Sequence, residues 1–398
     1  MTGARPGRQR LLVLLSSQFR GGCEEYALTV ARGAVERSWD VHAAFPLSEG
    51  TRSLAKDFAA HGVAYRPLRI EETPGGEAPK PKHLGRLIRT LGRLWRVRPT
   101  GVLVNLADPT HGMAVLLACA LLKVPTTVVF HLAFAPFWVA PRKASLMRWA
   151  RGRSQRWVSV SEHNRGMVSQ SFGAHDEEIT VIHNGVKLAP ASAEGQSGLP
   201  RLEPRRAVRA ELGLPPDARL VMSVGRLHPQ KGFDLLVAAV PFVVRQCPDV
   251  WFVLVGEGPE RAAIEKRARD LGVRDRIHMP GYRTDVSRFL SSGDLFAFPS
   301  RFEGLPLALL EAMAYGLPVV ASDATSTPEI ISDRVHGLLF PSGDCEKLSQ
   351  TLIWGLEHPE EMARMAERAA RRTQDFTEEK MLRHTLDWFE SPVPAARA

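Results

Sequence analysis

Cysteine is scarce. The 398 residues hold four, Cys23, Cys119, Cys247 and Cys345, and no two fall at a C-x-x-C spacing. That excludes a disulfide scaffold, a zinc ribbon and a dithiol redox pair. A reducing, cytoplasmic setting is the expectation. Long apolar runs are also missing. The longest, Met113–Leu122, has ten residues and is closed by Lys123 and Pro125, half of the roughly 20 that a membrane span requires. The opening stretch, MTGARPGRQRLLVLLSSQFRGG, has an apolar core of only five residues with Arg20 close behind. It reads as a basic tail and a buried strand, not as a signal peptide. Gly and Pro together number 61, too few for a collagen-like or low-complexity chain. With 44% hydrophobic and 24% charged residues, the chain can build full cores, and disorder is excluded as its main state. At about 150 residues per domain, the length predicts two or three domains.

Acidic residues are depleted in one half. Residues 1–190 carry 26 Lys and Arg against 14 Asp and Glu, a balance of +12; residues 191–398 carry 26 against 29, a balance of −3. All of the net +9 therefore comes from the first half, which predicts an anionic partner there. Two segments hold no acid at all. Lys80–Arg98 has seven Lys and Arg, and Arg142–Arg156 has six, with Trp149 and Trp157 at hand. In the first, Leu84, Leu87, Ile88, Leu91, Leu94 and Trp95 form one helical stripe, expected to pack on a sheet and leave Arg86, Arg89, Arg93 and Arg96 elsewhere. Basic helices with Trp can lie on anionic membranes. A site for a large anionic acceptor and a plainly solvated face are the other two readings. No nucleic-acid motif is present and aromatics are not interleaved as stacking platforms, so nucleic acid is not expected as a partner.

Short apolar runs alternate with helical patterns throughout. They are Leu11–Leu15, Val41–Phe45, Val102–Asn105, Thr127–Phe130, Trp157–Val160 and Thr180–Ile182, then Leu220–Val224, Trp251–Val255, Ile277–Met279, Leu295–Phe298 and Pro318–Ala321. Continuous runs of this kind predict parallel strands covered on both faces, hence an α/β, doubly wound architecture. The pattern breaks at 189–204, APASAEGQSGLPRLEP, which reads as a linker. Two Rossmann-like domains follow from this, 1–188 and 205–372. A tail, 373–398, carries a last helix at Thr377–Glu390, expected to pack back on the first domain. Ligands of open α/β sheets bind at the carboxyl ends of the strands.

Two segments at such ends carry chemistry. In VMSVGRLHPQKGFD (221–234), Arg226 and Lys231 flank a Pro229 turn after the strand that closes at Gly225. An Arg fork and a Lys point charge suit a diphosphate. Taken alone, this is equally an ordinary surface loop. In FPSRFEGLPLALLEAMA (298–314), a helix is expected to start near Gly304–Pro306, with Glu303 before it and Glu311 about two turns in. Pro suits a first helical turn, whose free N–H groups can face phosphate. Eight residues of helical rise put the two carboxylates roughly 12 Å apart, beyond the roughly 5–9.5 Å of a paired acid/base centre. That distance suits two ends of one long ligand, whose sugar or ribose hydroxyls donate to carboxylates.

G-R-L-x-x-x-K-G at Gly225–Gly232, followed by E-x7-E at Glu303–Glu311, resembles the retaining glycosyltransferases of family 4, which have the GT-B fold. VGEGP at 255–259, GYRTDV at 281–286 and EAMAYGLPVVAS at 311–322 look like the same family, and the resemblance runs over nearly the whole chain. It implies that Arg226 and Lys231 bind the nucleotide diphosphate, with Gly225 in their loop. It implies that Glu311 holds the ribose, that Glu303 approaches the transferred sugar, and that the Gly304 and Leu305 amides meet the phosphates. QFRGGCEEY at 18–26 looks like the family's G-G-x-E loop, which sets Gly21 and Gly22 near donor or acceptor. His131, ending TTVVFH, matches a His placed against the donor sugar; read alone, it is an ordinary hydrogen-bonding His at a strand end. Two departures stand out. Lys187 follows VIHNGV where the family usually has Asp, and STPE (326–329) replaces G-G-x-P-E, which puts the sugar pocket in question but not the fold.

The activity so implied is transfer of a sugar, with retention, from a nucleotide-diphosphate-sugar to a hydroxyl of a glycan, lipid or small-molecule acceptor. The catalytic candidates are Arg226, Lys231, Glu303 and His131. The leaving diphosphate would be stabilised by cations and helix N-terminal amides. Neither a cofactor nor a metal is expected, since no Asp-x-Asp or His/Cys cluster is visible. A cytoplasmic enzyme, peripheral on the inner face of a membrane, fits the basic first half. A sugar phosphorylase, a nucleotide-sugar epimerase or a non-catalytic nucleotide-sugar binder would share the fold.

Overall fold

The structure, a computed structural model, describes residues 9–71, 80–133, 135, 137–188 and 202–390. Its strands are β1 (Arg10–Leu15), β2 (Asp40–Ala44), β3 (Ala64–Tyr65), β4 (Gly101–Leu106), β5 (Thr126–Phe130), β6 (Gln155–Ser159), β7 (Ile179–Val181), β8 (Arg219–Val224), β9 (Val250–Val255), β10 (Ile277–Gly281), β11 (Leu295–Phe298), β12 (Val319–Ser322) and β13 (Leu338–Phe340). Its helices are α1 (Gly22–Glu36), α2 (Arg52–Ala60), α3 (Lys80–Val97), α4 (Met113–Leu121), α5 (Pro141–Arg151), α6 (Glu162–Phe172), α7 (Leu202–Glu211), α8 (Phe233–Gln246), α9 (Arg261–Asp270), α10 (Val286–Ser292), α11 (Leu307–Ala314), α12 (Thr327–Ile330), α13 (Cys345–Glu357), α14 (Pro359–Arg372) and α15 (Glu378–Glu390).

The chain divides into two compact units, Met1–Asn184 with Glu378–Ala398, and Gly185–Thr377. The first holds a parallel sheet in the order β3-β2-β1-β4-β5-β6-β7, the second one in the order β10-β9-β8-β11-β12-β13. Each sheet winds outward from its first strand, then restarts on that strand's other side. The reversal falls between β1 and β4 in one unit and between β8 and β11 in the other. In open α/β sheets such a reversal is where ligands bind, at the carboxyl ends of the strands. Every strand expected from an apolar run is present to within two residues. Two short edge strands, β3 and β13, carry too few residues to show a pattern.

In the first unit, Leu12, Leu14, Val102, Val104, Val128, Phe130 and Trp157 build the core beneath α3 to α6. On the other side, α1 packs against α2 and α15. The tail helix is fixed by specific contacts. The Tyr26 and Thr385 hydroxyls lie 2.9 Å apart, and Arg37 donates to Asp387 at 2.7 Å. Gly101 is glycine because a Cβ there would lie 2.5 Å from Phe389 Cδ1.

Two expectations are corrected. Of the linker 189–204, residues 189–201 lie outside the described residues, and the last three already belong to α7. The position 205 therefore falls inside a helix, where Pro204 is tolerated in the first turn. The α3 stripe does not all pack inward. Leu94 and Val97 are buried and Leu87 and Leu91 partly so, but Leu84, Ile88 and Trp95 are 56%, 58% and 71% exposed. The inward face takes Arg86 and Thr90 in their place. Arg86 donates to the Glu71 carbonyl, and Thr90 bonds the Arg86 carbonyl at 2.8 Å. The helix is rotated so that its guanidinium groups cap the chain before it: Arg89 donates to Arg69 O at 2.8 Å and Arg93 to Pro67 O at 3.2 Å.

Candidate active site

In the second unit, the loops after the neighbouring strands β8 and β11 carry most of the candidate residues. The β8 loop runs Gly225-Arg226-Leu227-His228 into a short 3-10 turn, Pro229–Lys231, and Gly232 then caps α8. Gly232 sits at φ 66°, and a Cβ there would lie 2.1 Å from the Pro299 carbonyl oxygen. The absent side chain lets the two loops close on each other. The result is a salt bridge, Lys231 Nζ to Glu303 Oε1 at 2.6 Å. Glu303 is 6% exposed and is satisfied from several sides. Ser300 donates to Oε1 at 2.8 Å and Gln230 Nε2 to Oε2 at 3.3 Å. The Thr325 hydroxyl accepts from Glu303 N at 2.8 Å and donates to Glu303 O at 3.0 Å.

Arg226 is exposed on the same loop. Burial, then the charges of Arg226 and Lys231, hold the His228 imidazole below its usual range, against the opposing charge of Glu260. Beside this loop, Arg301 is clamped on Asp234 by two hydrogen bonds at 2.8 and 2.7 Å. Gly304 and Leu305 are buried, and α11 starts at Leu307 after Pro306. The first-turn amides of α11 have no partners within the helix. Glu311 is half-buried one turn into α11, not two. Because the chain from 303 to 306 is loop, the helical-rise spacing of the two carboxylates does not apply.

In the first unit, Gly21 and Gly22 stand exposed where α1 begins, with Gly21 in extended backbone at φ −159°. The loop is braced by Ser17, which donates to the buried Glu24 carboxylate, and by Arg20, which bonds Glu25 and Asp57, both at 2.5 Å. Burial raises Glu24, opposed by the Ser17 hydroxyl and by backbone N–H groups. His131, just past β5, is buried. Its Nε2 lies 2.9 Å from Asn105 Oδ1, and the Tyr26 ring meets it edge-on at 4.9 Å. Burial lowers its pKa to about 3.

The structure thus brings Gly225, Arg226, Lys231, Glu303, Gly304 and Leu305 to adjacent loops of one unit, with Glu311 on the helix that follows, and Gly21, Gly22 and His131 to the other. The sequence reading separated Lys231 and Glu303 by role and did not pair them. Gln230, Ser300, Asn105 and His228 were not singled out, while Glu24 is the Glu of the G-G-x-E loop. Thr325 and Ser326 stand where the family has its two glycines, and Thr325 has φ 47°, a left-handed conformation rare for a β-branched residue. The strain is held by the two hydrogen bonds to Glu303. Among the described residues no cluster of His, Cys, Asp or Glu is placed to hold a metal ion.

Comparison with known proteins identifies the fold and the family. HepE of Anabaena, solved in complex with UDP, superposes with a TM-score of 0.79 over 96% of this chain and 100% of that one, at 20% identity. WaaG, a glycosyltransferase involved in lipopolysaccharide biosynthesis, gives 0.71 over 96% and 100%, at 17% identity. The fold is therefore GT-B. Residues 20–189 match the model of Glycosyltransferase Family 4, and residues 204–372 that of Glycosyl transferases group 1. The chain belongs to this family of glycosyltransferases. Its relatives include D-inositol 3-phosphate glycosyltransferase of Segniliparus rotundus, 34% identical over 53% of this chain and 46% of that one. Another is the alpha-D-kanosaminyltransferase of Streptomyces kanamyceticus, 34% identical over 42% and 44%. The chain spans about half the length of the curated relatives it matches.

Gly232→Ala tests how the two loops depend on each other. A left-handed non-glycine residue costs about 1–2 kcal/mol, and the Pro299 contact adds to it. The variant should show a lower urea midpoint and weaker nucleoside-diphosphate binding. A wild-type midpoint with wild-type affinity would mean that the close approach of Gly232 to Pro299 places nothing.

Proposed function

We propose that this protein is a retaining glycosyltransferase that moves a sugar from a nucleoside-diphosphate-sugar to a hydroxyl of a glycan, lipid or small-molecule acceptor. The observation that carries the reading is the meeting of Lys231 and Glu303 at the β8/β11 reversal, beside Arg226 and the start of α11. An ammonium has three donors, so Lys231 can bond Glu303 and a phosphate oxygen together. Arg226 supplies a second cation, and the free first-turn amides of α11 suit an anion. As the bond from the sugar's anomeric carbon to the diphosphate breaks, its electron pair leaves on a phosphate oxygen, and these groups meet that charge. The acceptor oxygen bonds the anomeric carbon, and its proton passes to the departing diphosphate. In this reading Glu303 accepts from sugar hydroxyls, Glu311 accepts from the ribose diol, His131 faces the donor sugar, and the reaction needs no metal. The Anabaena neighbour is solved with UDP-glucose, which supports a nucleotide-sugar donor.

The same reading places the enzyme on the cytoplasmic face of an anionic membrane. Among the described residues no helix is long and apolar enough to cross one. The support is the outer side of α3. Leu84, Ile88 and Trp95 recur at helical spacing and are exposed beside exposed Lys82, Arg89 and Arg96. An apolar stripe next to a basic band is how a helix lies in an interface. On α5, by contrast, Arg148 donates to the Phe172 carbonyl and Arg151 pairs with Glu178, so fewer of its charges face outward.

Glu311→Ala should raise the donor KM roughly 10- to 150-fold with little change in stability, the loss of hydrogen bonds to a charged acceptor; an unchanged KM would move the ribose site elsewhere. For the membrane surface, the wild type should co-sediment with anionic vesicles at low salt and less at high salt, since each Lys or Arg near such a surface adds about 1 kcal/mol. Ile88→Glu with Trp95→Glu should abolish this while leaving turnover on a water-soluble acceptor. Equal partitioning onto anionic and neutral vesicles, or onto neither, would remove the membrane reading.

A further inference from the structure

His131 is held at three points. Its backbone N–H donates to Leu106 O at 2.9 Å, at the end of β4. The preceding carbonyl, Phe130 O, accepts from Asn164 Nδ2 at 2.7 Å, and the same amide bonds Ser159 Oγ at 2.9 Å. The ring lies against the edge of Tyr26, whose own hydroxyl is tied to Thr385. The remaining freedom is which ring nitrogen carries the proton, and Asn105 bears on that. Asn105 Oδ1 lies 2.9 Å from His131 Nε2. A carbonyl oxygen only accepts, so the proton between them belongs to Nε2, and a neutral imidazole then keeps its lone pair on Nδ1. Among the described residues, none hydrogen-bonds Nδ1.

We infer that Asn105 is a positioning residue that holds His131 as its Nε2–H tautomer, so that Nδ1 accepts a hydrogen bond from a hydroxyl of the transferred sugar. This rests on the transferase reading above.

Two further observations agree. Asn105 is 1% exposed, and its Nδ2 has no partner among the described residues. A buried unpaired donor is unfavourable, and an apolar side chain would avoid it, so the group is explained by its bond to His131. Burial also keeps the ring neutral at working pH, with its pKa down at about 3. A protonated ring would offer a donor at Nδ1 where this site offers an acceptor. The asparagine thus fixes the sense of the hydrogen bond without touching the sugar, as outer groups fix the tautomer of a ligating imidazole.

The test is a long-range proton–nitrogen NMR correlation on the full chain with labelled histidine, recorded without any donor, with His131→Gln used to assign the resonance. The wild type should give the Nε2–H pattern. Asn105→Leu should lose that single pattern and lower kcat about 10- to 100-fold, as a misplaced group does, with the KM for donor little changed. Asn105→Asp, whose carboxylate accepts where the amide oxygen does, should keep the Nε2–H pattern. An Nδ1–H pattern in the wild type, or an unaltered pattern in Asn105→Leu, overturns the inference. If Asn105→Leu does not fold, an Nδ1–H pattern in the wild type still overturns the inference. Absence of turnover on any nucleotide-sugar, with the Nε2–H pattern intact, instead overturns the transferase reading and, with it, the sugar as the ligand of Nδ1.

Discussion

A carboxylate taken out of water has to be met by donors, and in the second unit this constraint falls on Glu303. Removing an ion from water costs several kcal/mol even after relaxation, and only good geometry offsets it. Here the offset comes from Lys231, Ser300 and Gln230, with Thr325 bracing the backbone. Each of these sits on a loop after a strand of one parallel sheet. Glu303 and Lys231 are 72 residues apart in the chain, and they meet because β8 and β11 are neighbours at the reversal of the winding. The loops must also come close, which Gly232 permits, and Thr325 must hold a left-handed backbone, which its bonds to Glu303 stabilise. The charge pair, the missing Cβ and the strained residue answer one requirement.

The two units share a winding order but set their chemistry differently. In the second, opposite charges are held at contact distance, and a further cation stands exposed beside them. In the first, the loop after β1 is braced by Arg20 paired with Glu25 and Asp57. His131 is kept uncharged by burial and tied to an amide, and the excess positive charge lies on outer faces, α3 above all.

Much of this was legible in the sequence. Among the described residues, apolar runs marked eleven of the thirteen strands, because parallel strands are covered on both faces and show as unbroken hydrophobic stretches. The spacing of Gly225–Gly232 and Glu303–Glu311 pointed to the family and to the loops that matter. What was not legible depends on long-range contact. Nothing local says that Lys231 and Glu303 pair, or that Thr325 would take a left-handed backbone and brace Glu303. The α3 stripe was misread because its period fits two faces. Arg86 and Thr90 turned inward only because carbonyls of the preceding chain and of α3 itself were there to accept from them, which left Leu84, Ile88 and Trp95 outside. Asn105 sits in an otherwise apolar strand and acquires meaning only when β4 and β5 set it beside His131.

The central claim is that the Lys231–Glu303 pair organises a site for a nucleoside diphosphate. Calorimetric titration of UDP and GDP into the wild type, Lys231→Ala, Glu303→Gln and the double variant tests it most directly. The account predicts that at least one nucleotide binds the wild type and binds Lys231→Ala roughly tenfold or more weakly. Glu303→Gln should keep or tighten that binding, because it releases the ammonium to the phosphates, and the two substitutions should be non-additive, as expected of groups in contact. Equal affinity of the wild type and Lys231→Ala, or strictly additive effects in the double variant, would contradict it.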